Sequence, residues 1–205
     1  EREGAVVCII YFLTIFTGAA LVFLIQPMFA RMVLPMLGGA PAIWNTALVF
    51  YQAVLLAAYA YAHATSRWLS TRFQSIFHLL LMLLVFLFLP IGIPGDWKSP
   101  SPASPLLWLL GLLTRAVGLP FFVVCATSPL LQRWFAATRH KRASDPYFLY
   151  SASNLGSMLA LLSYPTVVEP AVPLQQQGLW WSALYRGLLV MMGICAVWIW
   201  RPKDR

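Results

Sequence analysis

Long uncharged runs of apolar residues alternate along this chain with short polar segments. Each run is about as long as the ~20 residues that an α-helix needs to cross the hydrocarbon core of a bilayer. Prolines, glycines and charged residues, which are typical of turns, separate the runs. The pattern predicts an all-α, polytopic integral membrane protein that forms a single domain over 1–205. Its six transmembrane helices are expected at about 5–27, 42–64, 73–90, 106–129, 147–164 and 179–200.

Prolines set most of the expected boundaries. The first run is too long for the core of a signal peptide, so it is interpreted as a retained span that closes near Pro27. Residues 31–39 are predicted to form a short interfacial helix and a turn. The fourth span is expected to bend at Pro120, because proline removes a helical hydrogen bond. The segment 165–178 contains three prolines and three consecutive glutamines, and it is predicted to be a loop.

The composition agrees with a membrane setting. Hydrophobic residues make up 60% of the 205 positions and charged residues only 10%, whereas a soluble domain carries about 25% charged residues. This excludes an ordinary soluble enzyme, a disordered chain and a disulfide-stabilised secreted module. Cys8, Cys125 and Cys195 lie inside apolar runs and are expected to be buried as small hydrophobic residues.

The basic residues predict the orientation. Of the 14 Lys and Arg residues, ten fall on the side that holds both chain ends, and Arg31 and Lys98 fall on the other. Because cytoplasmic loops of membrane proteins are rich in Lys and Arg, both termini are predicted to be cytoplasmic. The nine tryptophans lie near predicted span ends, where amphipathic rings are favoured. The net charge of +8 is therefore interpreted as topology, and no nucleic-acid partner is expected.

The two halves of the chain share a faint pattern. A Pro-x-x-x-Arg motif ends the first and the fourth run, at Arg31 and Arg133. A run that opens with proline follows each motif and contains an asparagine, Asn45 in one half and Asn154 in the other. Three spans per half would place the halves in opposite orientations, as in transporters built from inverted repeats. The pattern suggests a 3+3 inverted repeat.

Within the predicted spans, Arg115 is the residue whose placement in the membrane costs the most free energy. Counted from Leu106 at 1.5 Å per residue, it lies about 14 Å along the fourth helix, near the middle of the bilayer. A charge at that depth costs at least about 2.5–3.5 kcal/mol, so Arg115 should face the bundle interior or a wet cavity. The alternative is that its long side chain reaches the interface. No acidic residue lies within a predicted span, so no carboxylate partner is expected for Arg115 from this chain.

Neutral amides extend this candidate intramembrane polar site. An amide without a partner is costly in hydrocarbon, so each should hydrogen-bond to a neighbouring helix or line a substrate path. Together with Arg115, the candidate residues are Gln26, Asn45, Gln52 and Asn154.

Small residues in the fifth run indicate close helix packing. Ala152 and Gly156, and likewise Ser153 and Ser157, form small-xxx-small pairs that let two helix backbones approach each other.

Two histidines are weak candidates for a metal or haem site. His63 and His78 lie near the expected inner ends of the second and third spans, but no Cys, Asp or Glu accompanies them. No metal and no cofactor are therefore predicted, and bound lipid is expected. The sequence contains neither a nucleophile motif nor a paired carboxylate for acid–base chemistry, so no catalytic residue is assigned and the chain is predicted not to be an enzyme.

Two stretches, 21–63 and 118–165, resemble the membrane region of bacterial spermidine-synthase-like proteins, which are also described as fused major-facilitator/spermidine-synthase proteins. The resemblance covers 18–170. Its most specific elements are Gln26-Pro27, Gly38-Gly39-Ala40-Pro41-x-x-Trp44-Asn45, Pro129-x-x-Gln132-Arg133-Trp134 and Asp145-Pro146-Tyr147-Phe148-Leu149-Tyr150-x-x-Ser153-Asn154.

The resemblance implies a multi-pass protein of the bacterial inner membrane. In such proteins a cytoplasmic, Rossmann-like aminopropyltransferase domain follows the membrane region and binds a donor that is similar to decarboxylated S-adenosylmethionine. No residue of 1–205 matches that domain, so spermidine synthesis is not expected of this chain. A separate partner of that kind could contact the cytoplasmic basic face, which comprises Arg133, Arg139, Lys141 and Arg142.

Three functions remain open from the sequence. The leading expectation is a non-catalytic subunit or scaffold embedded in the membrane within a larger assembly. Its partners would be membrane lipid and either other membrane subunits or further copies of the chain. The first alternative is a transporter-like module that moves a small anionic or polar substrate past Arg115. The second is a membrane anchor for an aminopropyltransferase-like partner.

Overall fold

A computed structural model describes residues 2–97, 104–138, 140, 143 and 146–200 of the chain. The described residues form helices and connections, with no strand among them. The α-helices are α1 Arg2–Leu37, α2 Pro41–Trp68, α3 Thr71–Leu84, α4 Pro105–Leu113, α5 Leu119–Ala136, α6 Phe148–Ser163, α7 Glu169–Ala171 and α8 Leu174–Trp200.

Among the described residues, five helical stretches are long and apolar enough to cross a membrane, and they confirm the helical, membrane-compatible class. They include α4 and α5 as one stretch, Pro105–Ala136, and α3 with the 3₁₀ turn that extends it to Phe88. The remaining apolar run, which is the fifth along the chain, forms α6, which has 16 residues before a π-helical turn at Tyr164–Val168. With 36 residues, α1 is about 54 Å long at 1.5 Å per residue.

The expectation that the first span closes near Pro27 is wrong. Instead, α1 continues through Pro27 to Leu37, so residues 31–39 form no separate interfacial helix. A proline removes one N–H donor, but a helix packed against other helices tolerates this loss. The helix ends where Gly38 takes a φ of 73° and its N–H donates to the Leu34 carbonyl at 2.8 Å, a conformation that suits glycine after a helix.

The segment 165–178 is not the predicted loop. Helical turns continue as far as Ala171, and α8 begins at Leu174 rather than at residue 179. Between α7 and α8, Val172 takes an extended conformation, as expected for a residue that precedes a proline. The backbone N–H groups of Gln176 and Gln177 donate to the Pro173 carbonyl, so the glutamines belong to the first turn of α8.

The expected irregularity at Pro120 lies slightly earlier in the chain. The π-helical turn Thr114–Gly118 joins α4 to α5, and Pro120 is the second residue of α5. Pro120 has no N–H for the carbonyl of Ala116 four residues earlier, and a wider turn absorbs such a missing bond.

The first helix lies at the centre of the bundle. It packs against α5, α6 and α8, while α2 packs against α4 and α5, and α3 packs against α8. The five largest fully buried side chains come from three helices, α1, α5 and α8, which form the centre of the core: Trp134, Tyr11, Tyr185, Phe29 and Phe121. The end of the bundle that holds Arg2 and Trp200 is called the termini end below, and the other end the opposite end.

The contact between α1 and α6 is a backbone contact at Gly156. A Cβ atom at Gly156 would collide with the carbonyl oxygen of Phe16 on α1. Ala152, one turn earlier, is fully buried, whereas Ser153 and Ser157 are half-buried. The Ser157 hydroxyl donates within its own helix, to the Ser153 carbonyl at 2.9 Å. Gly156 and Ala152 therefore form the face of α6 that meets α1.

The Gly156→Ala variant should lose about 1–3 kcal/mol of unfolding free energy, because its methyl group forces α6 away from α1. Gly187→Ala on α8 is the matched control, since a Cβ at Gly187 meets nothing within 4 Å. The control should unfold within about 1 kcal/mol of the parent. Unfolding in mixed detergent micelles, followed by circular dichroism, measures both variants. Equal stabilities of the two variants would contradict the close contact.

Candidate functional site

Arg115 lies on the surface of the bundle and forms an ion pair. Its Nη2 atom is 2.7 Å from Oδ2 of Asp96, and its guanidinium lies 5.6 Å from the centre of the Trp97 ring. The side chains of Arg115 and Asp96 are 50% and 66% exposed. The expectation that this chain supplies no carboxylate partner for Arg115 is wrong. Half of the Arg115 side chain is exposed, so it is not enclosed in the interior of the bundle.

The carboxylate reaches Arg115 because residues 89–97 fold back beside α4. The Trp97 ring packs on Gly111, where a Cβ would lie 3.4 Å from it, and its centre is 6.2 Å from that of Trp108. The hydrogen bond donated by the Arg115 guanidinium holds the pKa of the Asp96 carboxyl below its ordinary value. Asp96 lies outside the apolar runs, so a search within the predicted spans could not find it.

The same segment is anchored on α8. Ile91 is buried, and its N–H donates to Oγ of Ser182 at 3.4 Å, while the Ser182 hydroxyl donates to the Gly178 carbonyl at 2.6 Å. A Cβ at Gly178 would collide with the Ile91 carbonyl oxygen. The segment 89–97 is therefore held against α8 at Ile91 and against α4 at Trp97, while Gly95 and Asp96 between them are exposed.

The structure does not gather the four candidate amides around Arg115. Gln26 donates to the Val22 carbonyl of its own helix at 3.2 Å. Asn45 and Gln52 are exposed on α2, and Asn154 is exposed on α6. Arg115 contacts Asp96 and Trp97 instead, so these residues do not form one intramembrane polar site.

The buried polar groups lie elsewhere, in a termini-end cluster of Thr65, Gln74, Arg133 and Trp134. Fully buried Gln74 donates from Nε2 to Oγ1 of Thr65 at 2.9 Å and accepts at Oε1 from Trp134 Nε1 at 3.1 Å. The Arg133 guanidinium donates to the carbonyls of Thr65 and Leu69 at 3.3 and 3.1 Å. Cations are favoured at the C-terminal end of a helix, and here α2 receives Arg133 from α5.

An opposite-end cluster comprises Arg31, Tyr164, Glu169, Val172 and Gln177. Gln177 is 3% exposed; its Nε2 donates to the Val172 carbonyl at 2.9 Å, and its Oε1 accepts from the Tyr164 hydroxyl at 3.0 Å. Arg31, at the end of α1, lies 2.9 Å from Glu169. This cluster ties α1, α8 and the end of α6 together.

The sequence interpretation missed both buried glutamines, although a signal exists. Gln74 is the fourth residue of α3, and Gln177 is the fourth residue of α8. A carboxamide at the same place in two helices, α3 and α8, was detectable. It was hidden because residues 175–177 were assigned to a loop.

The two histidines of the weak metal candidate have different surroundings. His63 is exposed on α2, whereas His78 is fully buried on α3, with its Nδ1 atom 3.3 Å from the Tyr61 hydroxyl and its ring edge-on to Trp134. Among the residues that the structure describes, no three His, Cys, Asp or Glu side chains converge in a metal-binding arrangement.

The basic face is described only in part. Arg133 is engaged in the termini-end cluster, while Arg139, Lys141 and Arg142 lie outside the described residues. Comparisons of the chain with protein-family models, curated protein sequences and solved structures find no match.

Replacing either buried glutamine by leucine should destabilise the fold by about 1–3 kcal/mol, because the donors and acceptors around it lose their partner. Gln74→Leu and Gln177→Leu are compared with Gln176→Leu, a neighbour whose side chain is exposed. Unfolding in mixed micelles should leave the Gln176 variant unchanged. A Gln177 variant as stable as the Gln176 variant would show that the opposite-end cluster does not hold α8.

The Asp96 carboxyl should titrate below the ordinary range of an aspartate. Since the chain contains three aspartates, protein labelled with ¹³C at the aspartate carboxyl gives few signals, and Asp96→Asn assigns the one that disappears. Because the pKa is lowered in the folded state, the pairing with Arg115 is complete at neutral pH and is lost as the pH falls through that pKa. In Arg115→Gln the pKa should rise to an ordinary value. An unchanged titration in that variant would contradict the ion pair.

Proposed function

We propose that the chain is a non-catalytic, six-helix protein of the bacterial inner membrane, with both termini in the cytoplasm. It acts as a membrane-embedded subunit or scaffold of a larger assembly. The observation that carries this proposal is where the polar and the apolar side chains lie. The enclosed glutamines join helix ends to each other, while large apolar side chains cover the outside of the bundle, among them Leu56, Leu87 and Leu107, which are 71–79% exposed.

Such an outer surface suits contact with lipid and with other membrane subunits. The described connections between α1 and α2 and between α2 and α3 span residues 38–40 and 69–70 only. Little of the described chain therefore extends beyond the helices to carry a separate activity, and the exposed helix faces are the surfaces available to a partner.

The pairing of helices supports a 3+3 inverted repeat. In this proposal α1, α2 and α3 correspond to α4–α5, α6–α7 and α8. The first helix of each half packs against the second helix of the other half: α1 against α6, and α4–α5 against α2. The two halves are thus interlocked rather than side by side.

The two polar clusters match under the same correspondence. Arg31 and Arg133, which end the two Pro-x-x-x-Arg motifs, each contact the end of the second helix of the other half. Gln74 and Gln177 each accept from an aromatic donor and donate to groups near the end of a second helix. Equivalent polar contacts at both ends of the bundle hold the helices in a fixed arrangement, and a scaffold needs such rigidity.

A tagged chain expressed at native level and purified in mild detergent tests the proposed function. Native mass spectrometry should find it in a stable assembly of fixed stoichiometry, with other subunits or with further copies of itself. A homogeneous monomer that carries only lipid, across several mild detergents, would contradict a role as a subunit.

The matched halves also favour the second candidate, a transporter-like module, because transporters use inverted repeats to alternate between two open states. Such a cycle must open the two clusters in turn, whereas a scaffold keeps both closed. Spin labels at exposed positions measure this: Arg67 with Ala136 at the termini end, and Leu34 with Val167 at the opposite end. A single narrow distance at each end is expected for the scaffold, and two distances at both ends would favour transport.

A further inference from the structure

Arg186 lies on the outer surface of the bundle, near the middle of α8. Its side chain is exposed, and within the described part of the chain it forms neither a hydrogen bond nor an ion pair. Asp96 and Glu169, the acidic side chains described at the opposite end, pair with other arginines. A charge within an apolar helix is costly unless a polar group reaches it, so Arg186 needs a partner from its surroundings.

Contacts between α3 and α8 show how far along the bundle Arg186 lies. Its neighbour Tyr185 donates from the hydroxyl to the Met82 carbonyl at 2.9 Å. About one turn nearer the opposite end, Oγ of Ser182 accepts from the backbone N–H of Ile91 at 3.4 Å. The helical stretch that begins with α3 ends at Phe88, between Met82 and Ile91. Arg186 therefore lies at about the level where this stretch ends, although α8 continues beyond it.

The hydrocarbon of a bilayer cannot extend far past that level on this flank. After Phe88 the backbone leaves the helical conformation, and Pro90 is exposed. Irregular backbone that is exposed to lipid does not occur within hydrocarbon, because its polar groups would lack partners. The headgroups beside α3 are therefore expected near the level of Arg186. The Cα–Cβ bond of a helical residue leans toward the N-terminus of its helix, which for α8 is the opposite end, so the arginine side chain extends toward these headgroups.

We propose that Arg186 binds the phosphate group of an anionic phospholipid in the leaflet at the opposite end of the bundle. A guanidinium presents a planar fork of N–H donors that matches two phosphate oxygens. Phospholipid surrounds any exposed face of a protein in a membrane, so this partner requires no additional subunit. An anionic headgroup is favoured over a zwitterionic one, because no ammonium group of its own competes with the arginine for the phosphate.

The face of α8 on the other side of Arg186 suits the hydrocarbon part of the same lipid. Toward the termini end, Val190, Ile194 and Val197 are exposed and lie on the same side of the helix as Arg186. A Cβ at Gly193, on this side as well, would meet nothing within 4 Å. A cation that adjoins an apolar surface offers an amphiphilic molecule both of its contacts. The proposal rests on the membrane location in the proposed function, and it assigns one specific lipid contact to the bundle.

Lipid binding to variants tests the contact. The full chain in mixed micelles receives phosphatidylglycerol, and native mass spectrometry measures how much stays bound. Arg186→Leu should weaken this binding about tenfold, as expected for the loss of one charge-assisted contact, whereas Arg186→Lys keeps the charge and should retain most of the binding. Arg67→Leu is the matched control, because it removes an exposed arginine from the last turn of α2 at the termini end, and it should leave the binding unchanged. Equal binding by the two leucine variants would overturn the proposal.

Two further ligands define the chemistry of the site. Phosphatidylcholine should bind the unsubstituted chain more weakly than phosphatidylglycerol does, and this preference should disappear in Arg186→Leu. Excess inorganic phosphate should not displace phosphatidylglycerol, because phosphate lacks the acyl chains that contact α8. Displacement by phosphate, or equal binding of the two lipids to the unsubstituted chain, would contradict a phospholipid site.

Spin labels in vesicles of phosphatidylcholine and phosphatidylglycerol test the depth. A label at Ala183→Cys, an exposed position about one turn nearer the opposite end than Arg186, should collide with a water-soluble nickel reagent, as positions among headgroups do. A label at Val197→Cys should instead collide with oxygen dissolved in the hydrocarbon. The unsubstituted chain, with its three native cysteines, gives the background. A label at Ala183→Cys that reports hydrocarbon would show that no headgroup reaches Arg186.

These measurements also separate the lipid site from the proposed function. A chain that binds phosphatidylglycerol through Arg186 but purifies as a homogeneous monomer keeps the lipid site and loses the subunit role. A stable assembly from which Arg186→Leu releases another subunit instead of lipid would assign Arg186 to a protein partner. That outcome would overturn the lipid site and leave the subunit role intact.

Discussion

A carboxamide enclosed by hydrocarbon side chains needs a partner for its N–H and another for its carbonyl. The bundle encloses two such carboxamides and supplies both partners to each. Gln74 lies in the first turn of α3 and Gln177 in the first turn of α8, and each joins its helix to the end of another helix. Because an unsatisfied amide is costly where water is absent, these bonds fix how the helix ends meet. The central position of α1 and its close contact with α6 at Gly156 are compatible with the helix arrangement that these hydrogen bonds fix.

The arginine side chains at the ends and on the surface of the bundle also have partners. Arg31 pairs with Glu169, Arg133 donates to carbonyls at the end of α2, and Arg115 pairs with Asp96 beside the Trp97 ring. Each of these three cations has a partner within the described part of the chain, so each contributes to the cohesion of the bundle. The proposed scaffold role follows from these contacts. The paired arginines and the buried glutamines hold the helices together, and the outer surface that remains is largely apolar.

Much of the helical architecture was predictable from the sequence, because apolar runs bounded by prolines and glycines leave few alternatives in a membrane. The start of α2 at Pro41 follows directly from this pattern. The contacts were not predictable. Because prolines were taken as helix ends, α1 was predicted to end ten residues too early and Gln177 was predicted to lie in a loop. Packing against neighbouring helices compensates for the backbone N–H that each proline lacks, and the sequence of one segment does not show that packing. Asp96 was missed because its approach to Arg115 depends on the path of residues 89–97, which is set by Gly178, Ser182 and Gly111.

The unequal lengths of the helices have a consequence for the surrounding lipid. The stretch Thr71–Phe88 has 18 residues and spans about 27 Å, while α8 beside it has 27 residues and spans about 40 Å. In the proposed membrane setting, a bilayer that matches the longer helix is too thick for the shorter one, so the bilayer beside α3 must be thinner or the bundle must tilt.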